Sequence, residues 1–279
     1  MSTVPAATSA TKKSRPQITL EVVRREQLSP HMVRIVAGGD GFADFVNNGF
    51  VDRYVKIAFP QPGVAYPAPL DLWTIRETMP REQWPFTRTY TLRWVDPAAR
   101  ELAIDFVVHG DEGLAGPWAA TAEPGDTLTF TGPGGAYNPD PEADWYLFAG
   151  DEAALPAIAA SIESLPADAV GLAFLEVESD AGIQPIAAPA GVTVAWLARN
   201  GAAAGDQGLL VAAVAGAQWP AGTVDVFAHG ERGAMKALRE IFFVQRGLER
   251  RQVSLSGYWA RGRVEDEFQA EKKLPVGQI

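Results

Sequence analysis

Cysteine is missing from the 279-residue chain, which removes disulfides, thiolate nucleophiles, iron–sulfur clusters and cysteine-type zinc sites together. Histidine is scarce: His31, His109 and His229 stand far apart, without the paired spacing of a metalloenzyme motif. No protein-built catalytic metal site is expected, so redox chemistry would need a borrowed organic cofactor. Positive charge is in deficit. Lys plus Arg number 24 against 34 Asp plus Glu, a formal charge of −10, which opposes a broad grip on nucleic acid or anionic lipid and leaves room only for a local basic pocket. Long apolar runs are absent too, since the longest, Gly208 to Ala217, is about half of what spans a bilayer. Residues 1–15 lack the apolar core of a secretory signal. They read as a mobile tail, and the protein as soluble and cytoplasmic, with no membrane insertion.

What is present suits a globular protein of two domains: 47% apolar and 21% charged residues support a substantial core. From Ile18 to Thr131, apolar and polar residues alternate in ITLEVVR, HMVRIVA, RYVKIAF, TYTLRWV, ELAIDFVV and DTLTFTG. Six short strands separated by turn residues predict an antiparallel barrel over 16–136. One helical piece, about Leu114 to Ala122, precedes the last strand. The Pro- and Gly-rich stretch Pro133 to Asp144 marks a change of period. After it, over 143–256, apolar strands alternate with helical segments at Glu152–Leu165, Gln207–Ala217 and Glu231–Gln245. That rhythm predicts a doubly wound, mostly parallel α/β domain. Residues 257–279 read as a C-terminal segment returning toward the first domain. In such a sheet, ligands sit beyond the carboxyl ends of the strands, so the crevice between the domains is where two ligands can meet.

Two segments carry the chemistry. Arg88-Thr89-Tyr90-Thr91-Leu92-Arg93 on a strand sets an aromatic beside two guanidiniums, a set suited to a planar phosphorylated ligand and equally compatible with a plain surface strand. In the stretch from His109 to Trp118 a strand ends in a glycine-containing turn that opens a helix. Unpaired amides at such an end can take a diphosphate, or the turn is simply a helix start.

Read in order, RTYTLRW, IDFVVHGDEGLAGPWA, PGDTLTFTGPGG, AGDEAALPAIAASIESLP, HGERGAMKALRE and SGYWARGRVEDE resemble the siderophore-interacting proteins, flavin-containing ferric-siderophore reductases, from about Ile18 to Glu271. The resemblance implies a ferredoxin-reductase-like fold, an FAD-binding Greek-key barrel followed by a nicotinamide-binding α/β domain. Position by position it puts Arg88 on the FAD diphosphate and Tyr90 and Thr91 beside the isoalloxazine and ribityl, with Arg93 completing the motif. His109 falls at a family histidine, either an FAD contact or a structural imidazole. The amides of Gly113, Leu114, Ala115, Gly116 and Trp118 would complete the diphosphate cradle. Leu114 stands where proline is frequent. Gly116 stands where related reductases carry a hydroxyl, so one side-chain hydrogen bond worth about 1–3 kcal/mol is expected to be absent. Tyr258 and Trp259 would lie near the flavin if the C-terminal segment folds back, or else pack between the domains. Gly150, Asp151, Glu152, Gly230 and Glu231 are implied contacts of NADPH or NADH, with helix capping as the other reading of Asp151 and Glu152. Arg199 either meets a 2′-phosphate or is a solvated charge.

The activity so implied is reduction of ferric siderophores, electrons passing from NAD(P)H through FAD to Fe(III). A hydride carries two electrons and ferric iron accepts one, a mismatch that flavin bridges. Reduction to Fe(II) weakens the hold of a hard-oxygen chelator. Ferric catecholates are anionic, so a basic patch is expected at the crevice. Arg261 and Arg263, with Lys272 and Lys273, are its candidates, against the alternative of ordinary solvated charges. A general flavin reductase, a ferredoxin-linked electron-transfer flavoprotein and a non-catalytic flavin or siderophore binder are the competing readings. A monomer is expected, with ferredoxin as a conceivable partner.

Overall fold

A computed structural model describes residues 16–108, 110 and 113–279. The tail 1–15 and His109, both singled out above, lie outside the described residues. The first half is a closed antiparallel barrel of β1 (Gln17–Ser29), β2 (Met32–Gly38), β3 (Tyr54–Phe59), β4 (Phe86–Asp96), β5 (Glu101–Val107) and β6 (Thr127–Gly134), in the order β1-β2-β5-β4-β3-β6. Strand alternation closes it from within. Ile18, Leu20 and Val22 of β1, Val55, Ile57 and Phe59 of β3, and Leu128 and Phe130 of β6 all point into one core, each burial worth about 1.5–3 kcal/mol. Two short helices decorate the barrel, α1 (Leu72–Thr78) and α2 (Ala115–Thr121). Sequence pattern gave no sign of α1, because prolines at 60, 62, 67, 69 and 80 surround it and it buries only Leu72 and Ile75. Its start is fixed by Asp71, whose carboxylate accepts the amides of Trp73 and Thr74 at 2.9 and 3.1 Å.

The second half is a five-stranded parallel sheet in the order β11-β10-β7-β8-β9, built from β7 (Trp145–Gly150), β8 (Val170–Val177), β9 (Gly191–Ala198), β10 (Val224–Glu231) and β11 (Val253–Trp259). Central β7 and β10 are buried at every residue, as a sheet covered on both faces requires. α3 (Leu155–Glu163) places Leu155, Ile158 and Ile162 on one face. α4 (Gly208–Gly216) and α5 (Arg232–Arg239) place Leu210, Val214, Met235 and Leu238 on the other. The link from β8 to β9 has no α-helix, only a short turn at Asp180–Gly182 in a segment that carries Pro185 and Pro189. α5 runs on as a wider π turn, Glu240–Gln245, so the helical pattern over Glu231–Gln245 is one continuous piece.

The halves share packed surfaces. Met32 of β2 belongs to the core under α3, and Tyr137 donates its hydroxyl to buried Asp225 of β10 at 2.8 Å. Asp52 accepts the amides of Ala136 and Tyr137, both at 2.9 Å, which fixes the connecting segment against the barrel. α6 (Glu265–Glu271) follows β11 and anchors through fully buried Phe268.

Candidate functional site

The barrel is hydrogen-bonded all round except along one seam. β4 pairs with β3 from Phe86 to Thr91 but with β5 only from Leu92 to Asp96, with a register shift between Leu92 and Trp94. Across the gap, Asp105 to Val107 of β5 pair with β2. Among the described residues, the edge of β4 from Phe86 to Thr91 that faces away from β3 therefore has no strand partner, leaving a row of backbone donors and acceptors open to one. A cleft of about 390 Å³ opens at this seam. Its barrel wall carries Tyr54, Lys56, Arg88, Tyr90, Thr91 and Asp105, and its opposite wall Ala153 and Pro156 from the start of α3 with Ser256, Tyr258 and Trp259 of β11. Glu265, Gln269 and Lys272 of the C-terminal segment close one end.

Tyr90 is held by an aromatic chain: its ring lies 4.4 Å from Phe106, which lies 5.6 Å from Trp118, itself 5.8 Å from Phe59. Burial pushes the Tyr90 and Tyr258 phenols well above their ordinary range, so both stay protonated donors. Tyr258 and Thr91 line the cleft from its two walls. Behind Tyr258, His229 lies 3.8 Å from the Phe227 ring and 5.1 Å from that of Tyr258. Its Nε2 meets Ser254 Oγ at 3.0 Å, and its Nδ1 is buried with no partner among the described residues. Burial, helped by Lys272, pushes this imidazole down to about 3, so it is neutral at pH 7. Asp105 is fixed by a bidentate pair with Arg34 at 2.6 and 2.8 Å.

Arg88 lines the cleft beside Tyr90, and its contact with exposed Asp266 is long, 3.5 Å, a pair worth at most about 1 kcal/mol. Arg93 does not join them. It forms a bidentate pair with Glu163 of α3 at 2.7 and 2.6 Å, because β4 alternation and the shift after Leu92 turn it toward the other half. Gly113 to Trp118 run beside the cleft rather than in its wall. There Gly116, where a hydroxyl residue was the family expectation, packs closely on β5: a β-carbon would stand 3.1 Å from the Val107 carbonyl. Pro117 lacks an amide, so the cradle there is limited to residues 113–116 and 118.

The strand ends of the sheet tie into a knot. Asp151, after β7, accepts Ala153 N at 3.0 Å, Glu231 N at 2.8 Å and Trp259 Nε1 at 2.8 Å. Burial raises this carboxyl while those donors pull it down. Gly150 and Gly230 are imposed by this packing: a β-carbon would lie 2.4 Å from the His229 carbonyl at Gly150 and 2.8 Å from Asp151 at Gly230, whose φ is +152°. Glu231 caps α5 through Gly233 N and Ala234 N at 2.5 and 3.0 Å. Helix capping thus describes Glu231, whereas the start of α3 has no side-chain cap and Asp151 serves the knot instead. Glu152 pairs instead with Arg199 at 2.9 Å, and Arg199 reaches Glu176 at 3.4 Å. Arg199 is no solvated charge, its side chain being 6% exposed, and burial raises Glu176 to about 7 against the pull of Arg199.

Neither Arg261 nor Arg263 lines the cleft. Arg261 donates its backbone amide to Glu231 at 3.2 Å and Arg263 pairs with Glu271 at 2.6 Å. The cleft cations are Lys56, Arg88 and Lys272. Lys56 carried no motif signal: it alternates with inward Val55 and Ile57 as any outward strand residue does, and only the return of the C-terminal segment covers it.

An antiparallel barrel with one open seam, joined to a parallel sheet that supplies the facing wall, defines the ferredoxin-reductase-like class. The same fold, as fold alone, occurs in phthalate dioxygenase reductase, at TM-score 0.60 and 11% identity over 90% of this chain and 70% of that one. The chain belongs to the siderophore-interacting protein family. Residues 21–137 match the siderophore-interacting FAD-binding domain and 143–262 the siderophore-interacting protein model. Relatives include an uncharacterized protein of Mycobacterium tuberculosis, 47% identical over 93% of this chain and 95% of its own length. The ferric vibriobactin reductase ViuB of Vibrio cholerae is 33% identical over the same shares, and the NADPH-dependent ferric-chelate reductase of Escherichia coli is 32% identical over 86% and 91%. Among solved structures, a siderophore utilization protein from T. fusca superposes at TM-score 0.78 with 41% identity, covering 89% of this chain and 94% of that one.

Proposed function

We propose that the chain is a flavin-dependent reductase of ferric siderophores that takes electrons from a nicotinamide dinucleotide. The observation that carries this reading is the unpaired edge of β4 beside Arg88, Tyr90 and Thr91. A flavin ring offers both hydrogen-bond donors and acceptors along one side, and a strand edge answers both. Arg88 would neutralise the diphosphate after releasing Asp266, Tyr90 would lie along the ring system, and the Thr91 hydroxyl would face its polar edge. The Gly113–Trp118 segment, next to Val107, adds backbone amides. These residues fit FAD, which when bound supplies the exchange between a two-electron donor and a one-electron acceptor.

The remaining groups exclude water and steer charge. Tyr258 and Trp259 roof the cleft, and neutral His229 behind Tyr258 adds no charge there. Lys56 and Lys272 offset, inside the cleft, a net charge of −10 that would otherwise repel an anionic chelate. The donor would enter between the start of α3 and β11, near Gly150, Asp151, Gly230 and Glu231. The names of ViuB and of the E. coli relative support the substrate class.

The test is anaerobic. FAD-loaded protein should lose its yellow colour on addition of a nicotinamide dinucleotide and regain it with ferric chelate, while a ferrous trap reports Fe(II). Colour that survives both NADH and NADPH would remove the dinucleotide, and bleached protein that ferric chelates leave bleached would remove the reductase reading.

A further inference from the structure

The carboxyl ends of β7, β8 and β9 are where a dinucleotide's adenosine half would lie in a sheet of this winding, and their charge is lopsided. Asp151 and Glu152 follow β7, Glu176 ends β8, and Glu178 and Asp180 come after it. Arg199 is the one cation in 151–154, 176–182 and 199–206. Arg199 is not available to a ligand. Its guanidinium lies between Glu152 at 2.9 Å and Glu176 at 3.4 Å with 6% of the side chain exposed, and the two carboxylate side chains are 8% and 5% exposed. Its Nε is buried without a partner among the described residues, so the pair bonds leave one donor unused. Withdrawing the guanidinium to meet a phosphate would leave two buried carboxylates uncompensated. A phosphate monoester brings about −1.5 to −2 charges at neutral pH, whereas a ribose diol offers hydroxyl donors that carboxylates accept.

We propose that this end of the sheet reads the 2′ position of the donor and selects NADH over NADPH, with the Glu152–Arg199–Glu176 cluster as its specificity determinant. The proposal rests on the nicotinamide-dependent function above and narrows it. Arg261 is the group that opposes it. Its β-carbon stands close to Gly205, in the segment after β9, and its guanidinium has no carboxylate partner among the described residues, so it is the residue through which a 2′-phosphate could still be held.

The test uses binding rather than turnover. ADP-ribose and 2′-phospho-ADP-ribose are titrated calorimetrically into FAD-loaded wild type, Glu176→Gln and Arg261→Ala. Wild type should bind ADP-ribose about tenfold or more tightly than its 2′-phosphorylated form, the scale of a like-charge penalty at a recognition site. Glu176→Gln, which frees one edge of Arg199 and removes a carboxylate acceptor for the ribose diol, should narrow that gap by tightening the phosphorylated ligand and weakening ADP-ribose. Arg261→Ala should leave the gap unchanged. Equal or tighter binding of the phosphorylated ligand by wild type overturns the proposal, and its loss in Arg261→Ala would assign that phosphate to Arg261. Binding of neither ligand overturns it together with the dinucleotide donor. Chelate reduction by dithionite-reduced protein would then show that the flavin and iron half of the function stands.

Discussion

Two buried groups in the α/β half move stability in opposite senses between about pH 5 and pH 7. His229 stays neutral in the folded chain down to about 3, from an ordinary 6.5. Below 6.5 the unfolded chain binds a proton that the folded chain refuses, so stability falls as pH drops, by about 2 kcal/mol between pH 7 and pH 5. Glu176 is raised from 4.5 to about 7. Between those values the folded chain keeps a proton that the unfolded chain has lost, so stability falls as pH rises, again by about 2 kcal/mol across the same window. In the wild type the two slopes oppose each other. His229→Gln, which can keep a bond to Ser254, exposes the Glu176 slope and should lose stability toward pH 7. Glu176→Gln exposes the His229 slope and should gain it. Urea midpoints followed by tryptophan fluorescence at three pH values should therefore diverge between the variants by roughly 4 kcal/mol across the window. Parallel pH profiles in all three proteins would refute the burial assigned to both groups.

Other consequences are as direct. Arg93→Ala should retain FAD and lose about 1–3 kcal/mol of stability through Glu163; loss of FAD with unchanged stability would return Arg93 to the flavin site. Asp151→Asn leaves at least one of three buried donors facing an amide NH₂, a cost of about 2–4 kcal/mol, and should lower the melting temperature by roughly 5–15 °C as Trp259 loosens; a melt within about 1 °C of wild type would mean the knot contributes little. Lys56→Gln should raise KM for an anionic ferric catecholate and leave that for a neutral hydroxamate chelate nearly unchanged, and an equal effect on both would remove charge steering.

The barrel and the α/β alternation were legible in the sequence because both periods are local: Ile18-Thr19-Leu20 repeats every two residues, and strand–helix spacing follows from Pro and Gly punctuation. That Arg88 and Tyr90 share a cleft was legible for the same reason, since alternation puts them on one side, but it did not foresee that Thr89 and Thr91 line the cleft too. What alternation could not deliver was the open seam, which depends on where β5 stops pairing with β4, a relation between residues 92 and 104. Arg93 was assigned to the flavin although its partner, Glu163, lies 70 residues away. Arg199 was read as a surface charge or a phosphate ligand because Glu152 and Glu176 approach it only across three strands. The cleft cations were sought at Arg261, Arg263, Lys272 and Lys273, where basic residues cluster in sequence; of these Lys272 lines the cleft, while Lys56 joins it only when α6 returns to the barrel.

The most direct measurement is an FAD titration of folded wild-type protein stripped of any flavin, followed in the visible band and by quenching of flavin fluorescence, with Arg88→Ala in parallel. The expected result is saturable uptake of one FAD per chain by wild type and an affinity lowered by several kcal/mol in Arg88→Ala, about what an uncompensated diphosphate charge costs in a partly dry site. Folded wild type that takes up no FAD at saturating supply, or Arg88→Ala that binds it as tightly, would contradict the placement of the flavin at the β4 seam.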